Sequence, residues 1–546
     1  MSLDEPASTV ATPDPDRAPP SEGRERLWSW DQIRFADARV LRPRDARELA
    51  ALLRELSRGP GERRVSFRGG GQAMDGHSLN DDIVIALDHA AFQHIGEPRC
   101  DDAGHHVTVG AGATWGPILA KTADRGLLPY SVPTTSRATL GGTLAADCLS
   151  RCSPISGREG SHVRSFKMLT ADGTEIECRR DDPDPDRRAL FGAAIGGFGY
   201  LGAITEATID LRPPLPGWRP GRRIRVATRV DKSVIGDLIG ERWSEFLPGL
   251  RERTCDEDVA EGRDGVLDHL LDLAAGPRPE RTVAWDAVSS AAWYALGQVE
   301  ALLFRSRYVL DREVDPMPLY QKQNQLFDLL SRGMTEPSLT EMAEGALFLL
   351  YQEGVYVDEI DNFTFFMENQ ISPARDAATA AGWRLNTVQQ TFVLPAIASA
   401  EDPAGAARTA AFLRAVRPTL FDEPDAPTFL DRRRPALLDV LYLPADDILL
   451  SAGRGGAGYA VTLTFTERDG EGFDVLRSRL RELSRRCAEL GGRVHLVKNV
   501  EVAPAELGRM YGEAFDAFLA LKRRYDPRGM LRNELFERVL IARSMR

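Results

Sequence analysis

Short runs of alternating apolar and polar residues recur between residues 28 and 213, with stretches of helical spacing between them. The segment ARELAALLRELSRG places leucines three and four residues apart and ends at Gly59, which predicts an amphipathic helix. WGPILAKTADRG predicts another helix. The β-branched alternation typical of strands is found in RRVSF, DIVIAL, HVTVGAGA, SFKMLTADG, TEIECRR and AITEATIDLRP. Residues 27–213 are therefore predicted to form one domain of mixed helices and strands.

A proline-rich stretch, LRPPLPGWRPG, predicts a linker after this domain. Beyond it, SAAWYALGQVEALLFRSRYVL spaces Trp293, Leu296, Val299 and Leu303 as in a helix, which we interpret as core packing rather than a membrane-docking surface. GVYVDEIDNFTFFMEN, NTVQQTFVLPA and AGYAVTLTFTERDG predict strands, so residues 214–484 are expected to form a second domain.

The C-terminal part, residues 485–546, is predicted to return to the first domain. FDVLRSRLRELSRRCAELGG predicts the helix that leads into it, RVHLVKN a strand and LGRMYGEAFDAFLALKRRYDP a second helix. The opening residues 1–26 are rich in Pro, Asp and Glu and predict a disordered tail. The expected fold class is α+β, with two domains and a returning C-terminal segment.

Composition and charge exclude several classes of protein. The chain has 546 residues and a formal net charge of −12, with scattered Lys and Arg, which argues against a nucleic-acid partner. It contains no run of the ~20 apolar residues that span a membrane and no apolar signal region, so we expect a cytoplasmic protein without a transmembrane segment. Six cysteines do not make a disulfide framework, and the spacing of Cys148 and Cys152 does not fit a zinc or redox pair. The acidic group Asp358, Glu359 and Asp361 is interpreted as a solvated strand edge or turn rather than a metal site.

Two glycine-containing motifs have opposite meanings. Gly197, Gly199 and Gly202 form a GxGxxG, but a helical segment precedes it and a strand-like segment follows, the reverse of a dinucleotide-binding motif. Gly69 to Gly71 instead follow a strand, and consecutive glycine amides can converge on an anion. The small-residue segment VPTTSRATLGGTLAADC can approach a flat ring or a phosphate in the same way. Two such segments favour a large cofactor bound between them.

The ordered motifs FRGGGQAMDGHS, TSRATLGGTLAADC, GSHVRSFKMLTADG and GGFGYLGAITEATI resemble the FAD-binding domain of the vanillyl-alcohol-oxidase/p-cresol-methylhydroxylase (PCMH-type) superfamily. The segment GGRVHLVKNVEV and the helix after it are most similar to the decaprenylphosphoryl-ribose oxidase subfamily. The resemblance covers roughly residues 30–213 and 485–546. It implies FAD as the cofactor, held by these residues: Phe67, Arg68, Gly69, Gly70, Gly71, Gln72, Ala73, Met74, His77, Thr134, Thr139, Leu140, Gly141, Gly142, Ala146, Asp147, Cys148, Leu149, Ile204 and His495.

The resemblance also bears on how the flavin is attached. Many members of the superfamily tether FAD through a histidine directly after the glycines, where this chain has Gln72. The other type of attachment needs a cysteine just before the second glycine pair, and Ser131 to Gly142 contains none. We therefore predict a non-covalent flavin. His77 is expected to be a hydrogen-bonding loop residue beside a phosphate or ribose.

Four residues are candidates for contact with substrate. Lys498 matches the family's catalytic lysine, although a lysine at a strand end is also typical of a surface position. Gln389 and Gln390 are adjacent on an apolar strand and must point to opposite faces, so we expect one of them to face substrate; Gln389 matches the family's polar position. Arg151 occupies the position of a family lysine and could bind an anionic group, but Leu149 and Ser150 replace the polar pair before it, which argues for a different substrate.

The expected function is FAD-dependent oxidation of a C–OH or C–N group on a small polar, sugar-like or natural-product substrate. Oxygen or another acceptor would then reoxidise the flavin. Two alternatives remain open at this point: a flavin-dependent reductase of a C=C bond, and a flavin-binding protein without turnover, because a fold does not fix a function.

Overall fold

The computed structural model describes the first domain and the C-terminal segment almost completely and the middle of the chain in parts. The described residues are 20–133, 135–150, 153–212, 222–231, 284–295, 298–313, 355–361, 384–395, 408–409, 411–412, 415–416, 437–468 and 473–541. The predicted tail lies outside these ranges up to residue 19, and the proline-rich linker from residue 213 onward. The prediction of a disordered tail up to residue 26 is wrong at its end, because Glu25 and Arg26 pair with the next strand.

The first sheet has the order β1-β2-β4-β3, and β4 pairs in parallel with both of its neighbours. Its strands are β1 (Glu25–Trp28), β2 (Phe35–Leu41), β3 (Val65–Arg68) and β4 (Ile83–Ala86). Helix α1 (Ala46–Arg58) connects β2 to β3, as predicted, and begins at Asp45, whose carboxylate accepts hydrogen bonds from the first free amides. Its apolar face buries Leu49 and Leu53 in the core beneath the sheet.

The second sheet is built around β10 (Ala203–Arg212), which pairs antiparallel with strands on both sides. The other strands are β5 (Arg99–Asp101), β6 (Gly104–Gly110), β7 (Leu128–Pro129), β8 (Val163–Leu169) and β9 (Glu175–Arg179). The helices of this region are α2 (Trp115–Asp124), α3 (Leu140–Ala146), α4 (Ser153–Ser156) and α5 (Pro185–Ala194). Because α5 precedes the GxGxxG segment and β10 follows it, the reversed order predicted for that motif is confirmed.

The third sheet is antiparallel, with the order β14-β11-β13-β12-β16-β17-β15-β18. Its strands are β11 (Arg222–Asp231), β12 (Ala284–Ala295), β13 (Gln298–Glu313), β14 (Val355–Asp361), β15 (Leu385–Pro395), β16 (Leu437–Leu443), β17 (Gly458–Arg468) and β18 (Arg493–Val494). The last helices are α6 (Phe473–Glu489), α7 (Pro504–Tyr525) and α8 (Glu534–Phe536). The α+β class is thus confirmed. Among the described residues, no helix is long and apolar enough to cross a membrane.

The helix predicted over residues 290–310 is wrong, because this stretch forms most of the antiparallel pair β12–β13. The register runs from Ala284 opposite Val309 to Ala295 opposite Gln298. The helical spacing of four apolar residues is a local signal, and cross-strand hydrogen bonding along the whole pair outweighs it. The strand predicted at RVHLVKN is also shorter than expected: only Arg493 and Val494 pair with β15, and the chain turns from residue 496 to 498.

The C-terminal segment packs against the first sheet. The amide of Val65 donates to the carbonyl of Met530 at 2.9 Å, and the Asn533 side chain donates to the carbonyl of His77 at 2.7 Å. The buried Lys522 forms an ion pair with Asp526 and donates to the carbonyl of Tyr200 at 2.7 Å. These contacts join residues more than 300 positions apart around the glycine loop.

The glycine loop, Gly69–Gly71, lies directly against the small-residue segment. A Cβ on Gly69 would lie 2.1 Å from Thr139 Oγ1, and one on Gly70 would lie 1.9 Å from the carbonyl oxygen of Arg137. Gly71 has φ +69°, in the left-handed region that favours glycine. The glycines therefore allow two backbone segments to approach each other, as well as leaving room for a ligand.

Replacing Gly70 with alanine should destabilise the fold because the new methyl group overlaps a backbone carbonyl that cannot move away. We expect a loss of about 1–3 kcal/mol in the free energy of unfolding, measured by urea denaturation. Gly456→Ala is the matched control, since that glycine is exposed with nothing within 4 Å of its Cβ position. Equal stability of the two variants would contradict the close approach.

Candidate cofactor and active site

A cleft with a volume of about 240 Å³ runs between the glycine loop, the small-residue segment and the turn that carries Lys498. It is lined by Trp30, Phe67, Gly69, Gly70, Gly71, Gln72, Ala73, Met74, His77, Ser78, Pro133, Thr135, Ala138, Thr139, Gly142, Thr143, Ala145, Ala146, Cys148, Leu149, Phe198, Gln389, Val497 and Lys498. Fifteen of the residues predicted to contact cofactor or substrate therefore face one cavity.

One wall of the cleft offers backbone donors. Within the described part of the chain, the amides of Gly69, Gly70 and Gly71 make no hydrogen bond to protein. Gln72 is half-buried beside them, with Nε2 donating to the carbonyl of Gly70 at 3.2 Å. A run of unsatisfied amides at the mouth of a cleft is the arrangement that binds phosphate oxygens.

His77 supplies a polar atom to the same wall. Its ring is buried and lies edge-on to Phe198, with 5.1 Å between the ring centroids. The Nε2 atom is buried without a hydrogen-bond partner among the described residues. Burial lowers the pKa of His77 to about 4, and nearby cations add to this effect although Asp75 opposes it. The imidazole is therefore neutral at neutral pH and ready to hydrogen-bond a ligand.

The opposite wall is the short helix α3 and the residues that end it. Thr143 accepts a hydrogen bond from Trp115 Nε1 at 3.0 Å and lies 2.6 Å from Oε1 of the buried Glu159. Burial raises the pKa of Glu159 well above its usual value, which favours the protonated carboxyl group. Cys148 is a free thiol, and burial raises its pKa as well. Burial therefore disfavours negative charge on this wall.

Lys498 and Gln389 meet at the end of the cleft. Lys498 Nζ donates to Gln389 Oε1 at 3.0 Å, and Gln389 Nε2 donates to Thr464 at 3.1 Å, so the amide is fixed in one orientation. Gln390 points to the other face of β15, where its side chain bonds Ser484 Oγ and the amide of Glu501. The alternation along the strand thus assigns Gln389 to the cavity and Gln390 to the interior.

Several predicted cofactor residues lie outside the wall of the cleft. Arg68 turns back to donate to the carbonyl of Trp28 at 3.0 Å, and Leu140 is a core residue of α3. Gly141 packs against Ala111, and Ile204 lies on β10 within the core, opposite Met168. These residues shape the scaffold behind the cavity.

His495 and Asp147 belong to a buried polar cluster behind the cleft. Arg158 Nη1 lies 3.1 Å from His495 Nε2, and since an arginine can only donate, the histidine nitrogen must accept. Burial and the neighbouring cations lower the pKa of His495 well below its usual value, so the ring is neutral. Arg158 also lies 3.6 Å from Asp147 and 3.3 Å from Asp446. Asp147 ends α3 in the left-handed conformation and accepts from the Gly160 amide.

Thr134, Arg151 and Cys152 fall outside the described residues, so their predicted roles stay predictions. Sequence reasoning missed Trp30, Thr143, Phe198 and Val497 as cavity residues. Phe198 lies within the reversed GxGxxG segment, where its φ of 53° and the flanking glycines mark an unusual turn. The turn between these glycines, rather than the GxGxxG spacing, was the feature that could have pointed to Phe198 as a cavity residue.

The residues present fit an FAD molecule. The cleft is lined by the free amides of the glycine loop, by a His77 nitrogen without a partner among the described residues, and by Lys498. The described residues hold no group of His, Cys, Asp and Glu suited to a metal ion. A dinucleotide with its pyrophosphate at the glycine loop and its ring between α3 and Lys498 would satisfy these donors.

Comparison with known proteins assigns this architecture to a class. A family model described as FAD binding domain matches residues 38–179, and one described as D-arabinono-1,4-lactone oxidase matches residues 439–539. The first match spans β2 to β9 and the second spans β16 to the C-terminal helices, so together they contain both walls of the cleft and Lys498.

Among individual proteins, one relative has low sequence identity to this chain but aligns with it over almost the whole length. Decaprenylphosphoryl-beta-D-ribose oxidase of Mycolicibacterium smegmatis is 24% identical over 525 residues, which cover 94% of this chain and 97% of that protein. Cytokinin dehydrogenase 2 of Oryza sativa subsp. japonica is 32% identical over 182 residues, about a third of either chain (33% and 32%). These matches support membership of the PCMH-type FAD-binding flavoprotein family. The chain's enzyme class is FAD-dependent oxidoreductase.

The neutral, buried state of His77 predicts a loss of stability in acid. The folded-state pKa of about 4 lies below the ordinary 6.5, so the unfolded chain binds more protons as the pH falls below 6.5. At pH 5 this difference costs about 2 kcal/mol relative to pH 7. His77→Gln should therefore lose less unfolding free energy than wild type between these pH values. The variant should keep the loss of stability in acid that is due to His495, whose pKa is also lowered. The same pH dependence in the variant and in wild type would show that His77 is not held neutral.

Proposed function

We propose that this protein oxidises a C–OH or C–N group of a small polar, sugar-like or natural-product substrate by hydride transfer to a non-covalently bound FAD. The observation that carries the proposal is the hydrogen-bonded pair of Lys498 and Gln389 in a cleft that the phosphate-type glycine loop also lines. When bound there, FAD supplies a hydride acceptor at N5.

The chain's own residues have three tasks in this proposal. Gly69–Gly71 and His77 hold the phosphate and ribose part with neutral donors. The uncharged wall at Thr143, Ala146 and Cys148 packs along the ring system. Lys498, directed by Gln389, places a positive charge beside the substrate hydroxyl, which orients it and lowers its pKa as the carbon gives up a hydride.

Support for a non-covalent flavin comes from the cleft itself. The residue after the glycines is Gln72, whose amide cannot form the linkage that a histidine forms there. His77 lies further along the loop and its ring is fixed against Phe198. Cys148 has a raised pKa, so little thiolate is present to attack a flavin.

Support for a sugar-like substrate comes from the names of similar proteins. One relative is an oxidase of a ribose derivative and one matching family model is an oxidase of an arabinonolactone. The cytokinin dehydrogenase match covers about a third of the chain, so it bears less on the substrate than the longer match does. The electron acceptor, oxygen or another oxidant, and the cytoplasmic location stay predictions.

Anaerobic reduction of the bound flavin tests the proposal. Sugar alcohols, lactones and glycosylated metabolites are screened for loss of the flavin absorbance, and Lys498→Met should slow reduction by the best compound on the order of 10²-fold. Lys167→Met is the control, an exposed lysine paired with Glu206 away from the cleft. Equal rates in wild type and Lys498→Met would refute the catalytic role.

The same screen separates the alternatives. A pre-reduced flavin that is reoxidised by an unsaturated compound would indicate a C=C reductase. A flavin that neither donates nor accepts electrons with any compound would indicate binding without turnover.

The two adjacent glutamines give an internal comparison. Gln389→Ala removes the hydrogen bond that directs Lys498 and should slow flavin reduction by roughly tenfold or more with little change in stability. Gln390→Ala leaves the Glu501 amide without its partner and should cost about 1–3 kcal/mol of unfolding free energy while sparing the rate. Rate and stability are measured on both variants, and a reversed pattern would contradict the assignment of their faces.

A further inference from the structure

Two buried carboxylates, Asp31 and Asp75, lie between the glycine loop and the turn that carries Lys498. Asp75 Oδ1 accepts from Arg34 Nε at 2.8 Å. Its Oδ2 accepts from the amide of Val500 at 3.0 Å and from Arg538. Burial acts to raise the pKa of Asp75, but the guanidinium groups of Arg538 and Arg34 outweigh it and hold the pKa well below its usual range. Asp75 is therefore an ionised anchor for the backbone that follows Lys498.

Asp31 extends the anchor to the next residue. Its Oδ2 accepts from the amide of Asp75 at 2.7 Å and from Asn499 Nδ2 at 3.0 Å. Asn499 is also bonded to the backbone of Gln389. Its side-chain Oδ1 accepts from the backbone N–H of Gln389, and its backbone N–H donates to the backbone carbonyl of Gln389, both at 2.8 Å. A continuous set of hydrogen bonds thus leads from the cofactor loop to Gln389, whose side chain accepts the hydrogen bond from Lys498.

Asp75 occupies this position in an unfavourable backbone conformation. Its φ of 49° is left-handed, a region that disfavours every residue except glycine, with Asp and Asn tolerated best among the others. It lies between the cavity residues Met74 and His77, in a turn where Gly76 also has a positive φ. The strain is offset by contacts that a glycine in this position could not make.

We propose that Asp75 is a positioning residue that holds Lys498 at the cleft by fixing the Asn499–Val500 backbone to the cofactor loop. The inference rests on the proposed function, because it requires a flavin beside Lys498. It assigns to Asp75 an effect on the reaction that acts through Lys498 and is separate from its contribution to stability.

Asp75 could also affect the flavin directly through its own charge. The sign of the change in flavin midpoint potential distinguishes the positioning role from this direct effect. A lysine beside the flavin stabilises the more negative reduced form and raises the potential, so displacing the lysine lowers it. Replacing Asp75 with Asn removes a negative charge, which by itself would raise the potential. A lower potential in Asp75→Asn therefore reports movement of Lys498.

The experiment compares the FAD-loaded wild type, Asp75→Asn, Lys498→Met and the double variant, with potentials measured against a reference dye during slow enzymatic reduction. Asn tolerates the left-handed conformation, so the substitution changes charge more than backbone. We expect both single variants to shift to lower potential, and the double variant to shift no further than Lys498→Met. Asp526→Asn is the control: this carboxylate is equally buried and bonds Lys522, Met530 and Leu531. It should lower the melting temperature and leave the potential unchanged.

A raised or unchanged potential in Asp75→Asn, or an additive shift in the double variant, would overturn the positioning role. If Asp75→Asn does not fold, Asp31→Asn takes its place with the same expected sign, because it breaks the contact to Asn499. A wild-type protein that binds no FAD would overturn the proposed function and this role together. A shift in Lys498→Met without a shift in either aspartate variant would overturn the positioning role alone.

Discussion

The close approach of two backbone segments, the glycine loop and residues 137–139, is the constraint on which the rest of the cleft depends. No side chain larger than hydrogen fits at Gly69 or Gly70 without overlapping Thr139 or Arg137. The approach brings the end of β3, a parallel strand of the first sheet, next to the start of helix α3. One cavity can then be lined by the loop after β3 and by α3 with the segment before it, which neither part could form alone.

Neutral and ionised groups occupy different places around the cleft. His77 and Glu159 are neutral because burial disfavours their charged forms. The ionised groups near the cleft are placed at its end and behind it, where Asp75 bonds Arg34 and Arg538, and Lys498 bonds Gln389. A charge in such surroundings acts more strongly on a ligand than one in water. This separation suits a cofactor whose phosphates meet backbone donors and whose redox end meets a single directed ammonium.

Features that depend on local sequence were predictable, and those that depend on distant partners were not. Helix α1, the strand before Gly69 and the opposite faces of Gln389 and Gln390 follow from spacing, capping and alternation within a few residues. The β12–β13 pair was mistaken for a helix because its hydrogen bonds cross between two strands and leave no periodic trace. Asp31 and Asp75 gave no signal either, since their partners at Asn499 and Val500 are more than 400 residues away. Phe198 lies in GGFGYLGAITEATI, a segment included in the family resemblance, but nothing in the sequence shows that its ring faces the cavity.

The most direct measurement of the central claim is a crystal structure of the protein purified with its cofactor. It should show FAD in the cleft, with the pyrophosphate oxygens on the amides of Gly69–Gly71, the flavin ring between α3 and Lys498, and no bond between protein and flavin. A cleft without FAD, a flavin far from Lys498, or continuous density joining the ring to His77 or Cys148 would contradict it.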